Sequence, residues 1–200
     1  MQPTIPAAML ALVALAAPAH AAATLGQPAP AFSATDSKGR PVSLAALRGR
    51  TVVLEWTNAQ CPFVQKFYGS GTMQRLQADA ARNGVVWLTI NSGAPGKQGH
   101  VTPAQAEAEM ARARAVPAHY LPDPSGTVGR AYGATTTPHM FVINPAGTLV
   151  YAGGIDDRPT ASAADIAGAR NFVTLALADL AAGRPVATPS AKPYGCSIKY

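Results

Sequence analysis

A chain of 200 residues, 48% of them hydrophobic, is long enough for one domain of ordinary size with a real core. Its net charge of +6 arises from 16 Lys and Arg scattered between Lys38 and Lys199 without a run or interleaved aromatics, which argues against a nucleic-acid groove and leaves at most weak attraction to an anionic membrane surface. The longest apolar run, residues 7–17, falls well short of the roughly 20 residues a bilayer span needs.

Residues 1–23 stand apart. The apolar run ends in Ala19-His20-Ala21, a small-x-small cleavage pattern, and together these read as a secretory signal peptide. Residues 1–6 carry no Lys or Arg, so only the α-amino group charges that end, and an uncleaved N-terminal anchor is the alternative. All Lys, Arg, Asp and Glu follow this segment, so a mature chain keeps the whole charge. The expectation is a periplasmic or secreted protein with no stable membrane insertion after cleavage. Its two cysteines, Cys61 and Cys196, either pair with each other in an oxidising compartment or both stay free.

Residues 25–32, rich in proline, predict an extended lead-in. Short strands are expected at residues 32–35 and 41–43 around the turn Asp36-Ser37-Lys38-Gly39, with a further turn at residues 44–47. Residues 51–56 are β-branched, apolar or aromatic apart from Glu55 and read as a buried strand; Thr57-Asn58-Ala59-Gln60 reads as a loop. A helix is predicted over 62–68 and, beyond Gly69-Ser70-Gly71, a second over 73–82 capped by Thr72 and stopped at Asn83-Gly84. Residues 85–90 form the next strand, and strand–helix–strand implies a parallel pair with a right-handed crossover. The glycine-rich loop 91–101 is read as surface or, alternatively, as a lid, with His100 exposed. Thr102-Pro103-Ala104-Gln105 is a capping box opening a helix to about residue 115. A short extended piece at 120–121, a short helix at 125–132, and a hairpin of 139–143 with 148–152 around Asn144-Pro145-Ala146-Gly147 follow. Asp156-Asp157 before Arg158-Pro159 reads as a turn rather than a cation site. A final helix is expected from Ser162, with the stripe Ile166, Val173, Leu177 and Leu180, ending at Gly183; the proline-bearing tail should then run extended and irregular to Tyr194-Gly195-Cys196.

The chemistry concentrates at Cys61. It stands where a helix begins, with Pro62 suited to the first helical position because its missing N–H has no partner there. A sulfur so placed faces unpaired N–H groups and the positive helix end, which favours the thiolate and makes Cys61 a reactive cysteine rather than an inert buried one. Cys61-Pro62-Phe63-Val64 after a strand, and Gly195-Cys196-Ser197-Ile198-Lys199 at the end, resemble the peroxiredoxin-like redoxins of the AhpC/TSA type. The resemblance covers residues 25–183 and implies an α/β chain: a thioredoxin-like fold with a central mixed β-sheet flanked by helices and a peroxiredoxin-type N-terminal hairpin extension. It divides the chain into a signal peptide (1–23), a redoxin domain (24–183) and an extended tail (184–200) carrying Cys196.

By that resemblance Cys61 is the nucleophile, Pro138 the cis-proline beside it, and Glu55, six residues before Cys61, a buried proton-relaying carboxylate. Asn58, Pro62, Thr137 and His139 are expected to border the substrate, Thr137 through its backbone; a structural, hydrogen-bonded role is the alternative for His139, and solvent exposure for Glu55. Two departures matter. Position 64 is Val where thioredoxins carry a second Cys, and Asn58 and Leu54 stand where peroxiredoxins have Thr or Ser and Pro. A second thiol must therefore be Cys196 or come from another molecule. A permanent Cys61–Cys196 bond would close a loop of more than 130 residues, worth roughly 4 to 5 kcal/mol; a resolving Cys196 would form it reversibly. The reading is an exported thiol–disulfide oxidoreductase acting on protein thiols or disulfides, without a cofactor or metal and reset by an upstream reductant. The alternatives are a thiol peroxidase acting on small peroxides, and a non-catalytic binding module, disulfide-stapled or holding copper through Cys61, Cys196 and His139.

Overall fold

The structure is a computed structural model that describes residues 23–200, so the segment read as a signal peptide, apart from Ala23, lies outside the described residues. At its centre is β3 (Val52–Trp56), all five residues buried. It pairs in parallel with β4 (Val86–Asn91) and antiparallel with β7 (His139–Ile143). Outside these lie β5 (His119–Pro122), parallel to β4, and β8 (Leu149–Gly153), antiparallel to β7, giving the mixed order β5-β4-β3-β7-β8. The near-continuous apolar runs of β3, β4 and β7 are what a sheet covered on both faces requires.

Alternation along β3 sends Leu54 and Trp56 to one face and Val53 and Glu55 to the other. On the first face Trp56, Leu88, Ile90, Leu121 and Phe141 pack against Val42 and Leu44 from the N-terminal hairpin and against Tyr132 of α4 (Thr127–Tyr132). That hairpin is β1 (Ser33–Thr35) with β2 (Pro41–Ser43), closed by Asp36, whose Oδ1 accepts from the N–H groups of Lys38 and Arg40. On the second face lie α1 (Pro62–Gly69), α2 (Thr72–Arg82) and α5 (Phe172–Ala181), contributing Phe67, Met73, Ala80, Phe172, Val173 and Ala176. The helix α3 (Pro103–Ala113) opens with the expected capping box, both hydrogen bonds of which are made. Among the described residues no helix is long and apolar enough to cross a membrane.

Two expectations are corrected. Thr72 does not cap α2; Gly71 does, with φ +73°, and its carbonyl accepts from Arg75 N–H to close the first turn. The segment expected as one helix from Ser162 is a 3-10 helix (Ala163–Gly168) followed by α5, because Asn171 takes an extended conformation and its side chain accepts from Thr174 N–H, starting a new helix. The tail, extended and without a helix or named strand up to Tyr194 as expected, is nevertheless docked. Pro189 O accepts from Ala152 N–H beside β8, and β9 (Cys196–Ser197) pairs antiparallel with β6 (Thr136–Thr137).

Candidate active site

The end of β3 delivers the loop 57–60 and then Cys61, which is the N-cap of α1 with extended dihedrals and Pro62 at the first helical position. Its carbonyl accepts from Val64 and Gln65 N–H, so the helix begins at the cysteine. Cys61 is fully buried, and its thiol donates to the Thr137 carbonyl at 3.1 Å. The Thr137–Pro138 peptide is cis, and Pro138 is buried beside it.

The register of β6 with β9 sets Cys196 opposite Thr137, whose carbonyl takes the Cys61 thiol, so two cysteines more than 130 positions apart in sequence adjoin one another. Both cysteines are free thiols here. Burial opposes ionisation of Cys61. Hydrogen bonds from the Cys196 thiol, the Thr137 side chain and the N–H groups of Cys196 and Val64 outweigh it and hold the Cys61 thiol below its ordinary value. Cys196 moves the other way, pushed up to about 11 by burial, by its bond to Cys61 and by the Cys61 charge, with Lys199 pulling weakly against them. The pair titrates as a unit in which Cys61 ionises first.

Glu55 is fully buried and faces away from solvent. Its Oε1 accepts from Tyr68 OH at 2.8 Å; its Oε2 accepts from Trp87 Nε1 at 2.7 Å, Thr89 Oγ1 at 3.1 Å and Gln77 Nε2 at 3.3 Å. Burial raises the carboxyl in spite of these four donors, and the phenol of Tyr68 lies well above its usual range through burial and the Glu55 charge. Tyr68, Gln77, Trp87 and Thr89 are the part of this centre that sequence reasoning missed; their helical and strand spacing marks them as core positions without saying what they face. No hydrogen bond among the described residues joins this network to Cys61. Beside it a cavity of about 470 Å³ runs between α1 and α3, lined by Thr57, Val64, Gln65, Tyr68, Gln74 and Glu109.

Asn58 is buried, but both ends of its amide are engaged: Oδ1 accepts from Gln60 N–H at 2.9 Å and Nδ2 donates to Gln98 Oε1 at 3.2 Å. Through that contact the loop 91–101 closes against the site, and Ala94 N–H donates to Lys199 O in the tail. It is thus a wall of the site rather than a plain surface loop. His100, expected to be exposed, is half-buried with Nδ1 bonded to Gly93 O. Pro62 is exposed at the helix start.

His139 is buried, stacks on Phe141 at 4.4 Å between ring centres, and takes Thr135 N–H at Nδ1. Burial pushes it down to about 4, so it is neutral at physiological pH. Among the described residues no group of three or more His, Cys, Asp or Glu is placed to hold a metal, so Cys61, Cys196 and His139 do not make the copper site considered from sequence. A pH dependence follows. Between about pH 6.5 and 4 the unfolded chain binds a proton at His139 that the folded chain refuses, so stability falls as the pH drops through that window, by about 2–3 kcal/mol in all. The urea midpoint of a His139→Phe variant is expected to fall less than that of the wild type between pH 7 and 4.5. Equal falls would assign the acid sensitivity to other groups.

Asp156 and Asp157 part company. Asp157 is exposed, as a turn residue should be, whereas Asp156 is buried and pairs at 3.5 Å with Lys66 of α1, itself fully buried. Tyr194 of the tail donates its hydroxyl to the other Asp156 oxygen.

Comparison with known proteins agrees with this geometry. The pattern of the AhpC/TSA family matches residues 25–152. An uncharacterized conserved protein from Geobacillus kaustophilus superposes with a TM-score of 0.74 at 28% identity, over 88% of this chain and 92% of that one. A hypothetical protein from Sinorhizobium meliloti 1021 gives 0.75 at 27% identity, over 90% and 96%. The thioredoxin domain of a thiol-disulfide oxidoreductase from Bacteroides vulgatus, at 18% identity and TM-score 0.51 over 64% of this chain and 87% of that one, shares the fold. No curated protein matches the chain.

Proposed function

This chain belongs to the AhpC/TSA family, and from that premise we propose that it is an exported thiol–disulfide oxidoreductase in which Cys61 is the nucleophile and Cys196 resolves the intermediate. The observation that carries the reading is the thiol pair itself: Cys61 at a helix start, its thiol held below the ordinary value, with Cys196 held beside it by strand pairing.

The Cys61 thiolate attacks one sulfur of a substrate disulfide R–S–S–R′, breaking that bond and releasing R′S⁻, which takes up a proton. The mixed disulfide Cys61–S–S–R is then attacked at the Cys61 sulfur by the thiolate of Cys196, which has lost its proton to solvent; RS⁻ leaves and is protonated. The substrate gains two electrons, the protein becomes the Cys61–Cys196 disulfide, and an external dithiol returns it to the reduced state. Thr137 and cis-Pro138 would flank the reacting sulfur, Pro62 would lie at the entrance, and Asn58 would brace the loop beside it. Glu55 would serve as a proton reservoir reached by way of Tyr68, which lines the neighbouring cavity and donates to the carboxylate.

The reduction potential of the pair tests the proposal. A value between about −120 and −270 mV marks a working couple, while one below about −300 mV marks a structural staple and ends the redox reading. Export is tested by recovering from the periplasm or medium a chain lacking the first 23 residues.

The peroxidase alternative is weakened by Asn58. At the position where a peroxide would be oriented, its amide is already spent on Gln60 and Gln98. Stopped-flow mixing with hydrogen peroxide is therefore expected to oxidise Cys61 at the slow rate of an ordinary free thiolate; rapid oxidation would make the protein a peroxidase.

A further inference from the structure

The tail crosses the mouth of α1 and is fastened there by a buried charged cluster that the steps above do not use. Lys66 and Asp156 are fully buried side chains 3.5 Å apart, and Lys66 Nζ also donates to Arg158 O at 2.8 Å. Asp156 divides its oxygens: Oδ2 faces Lys66, while Oδ1 accepts from Arg158 N–H at 2.9 Å and from the hydroxyl of Tyr194. The Tyr194 ring then packs edge-on against Phe63, 5.8 Å between centres, and lies 5.7 Å from the Lys66 ammonium. Two residues further on is Cys196. Between them Gly195, at φ +131°, lies so close over the cis-proline turn that a Cβ there would overlap the Thr137 carbonyl. Covered in this way, Cys61 has no exposed surface, although it stands at a helix start next to the exposed Pro62.

We propose that Tyr194, seated on the buried Lys66–Asp156 pair, is the positioning residue that latches the tail shut over Cys61 and fixes how tightly Cys196 is presented to it. The inference rests on the redox reading above and adds a consequence for partners. A disulfide carried on a protein reaches Cys61 only when the latch opens, whereas small reagents and Cys196 itself reach it more readily. Closing the latch raises the effective concentration of one thiol at the other and lowers access from outside, so the two effects change in opposite directions.

The test uses full-length mature protein and two variants that loosen the tail by different contacts. Tyr194→Phe removes only the hydroxyl given to Asp156; Gly195→Ala places a methyl against the Thr137 carbonyl and leaves the core untouched. Each is expected to lower the equilibrium constant of the Cys61–Cys196 disulfide against dithiothreitol roughly tenfold, equivalent to about 30 mV. Each is also expected, in a Cys196→Ser background under reducing conditions, to speed alkylation of Cys61 by a bulky maleimide about tenfold or more. A variant that merely unsettled the fold would lower the denaturation midpoint without producing these opposed changes. If wild-type protein forms the disulfide but neither variant moves either quantity, the latch is wrong and the redox reading stands. If wild type forms no disulfide but alkylation still accelerates, the cover over Cys61 is retained and resolution by Cys196 is lost.

Discussion

Cys196→Ser is expected to stop the protein at its covalent intermediate. Mixed with a disulfide substrate, the variant should accumulate a Cys61 adduct, visible by mass spectrometry as one substrate thiol added, and lose multiple turnover by about three orders of magnitude. That factor reflects replacing a thiol already in contact with one that must diffuse in, since well-oriented intramolecular groups act at effective concentrations far above any free thiol. Cys61→Ser should give no adduct at all. The electrostatics of the pair supply an order of events. Burial keeps Cys196 protonated, and so do its bond to Cys61 and the negative charge there. Once Cys61 is committed to a mixed disulfide its charge and its hydrogen bond vanish, leaving burial opposed by nearby Lys199, so Cys196 ionises more easily just when it is needed. In wild type the second step should then be fast at neutral pH despite a resting Cys196 pushed up to about 11. Unchanged turnover in Cys196→Ser would mean that an outside thiol resolves the intermediate and that Cys196 has another purpose.

How much of this was legible in the chain depends on the range over which the controlling forces act. Local signals held where local chemistry decides: Val52–Trp56 as a buried strand, the capping box at Thr102 and Gln105, and Cys61 ahead of Pro62 at a helix start. The helix expected from Ser162 failed because the apolar stripe Ile166, Val173, Leu177 and Leu180 looks continuous, whereas Asn171 caps a fresh helix. Lys66 could not be recognised as buried, since a lysine in the last turn of a helix is ordinarily solvated and only the distant Asp156 makes it otherwise. The docked tail was hidden for the same reason. Its prolines suggest loose chain, and the partners that hold it, Thr137, Asp156 and Ala152, are all far away in sequence. Glu55 was singled out by its offset from Cys61, but its four donors come from α1, α2 and β4, which no spacing rule brings together.

The largest loss of stability is expected from Lys66→Met. Methionine is of similar length and keeps an apolar stem in the buried position, so the change isolates the ammonium group. What it leaves behind is Asp156, a carboxylate with no exposed side-chain surface to speak of, still hydrogen-bonded to Arg158 N–H and Tyr194 but with no cation. Removing one member of a buried ion pair costs about 3–5 kcal/mol, because the stranded charge can neither be solvated nor neutralised cheaply. The double variant Lys66→Met/Asp156→Asn withdraws that charge while keeping an oxygen for Tyr194 or Arg158, and should recover most of the loss. Urea denaturation of wild type, both single variants and the double closes the cycle, with an expected coupling of about 2 kcal/mol or more. A Lys66→Met protein within about 1 kcal/mol of wild type would show that water or rearrangement already screens Asp156. The tail's anchor would then be a surface contact in energetic terms, too weak to hold Cys196 against Cys61.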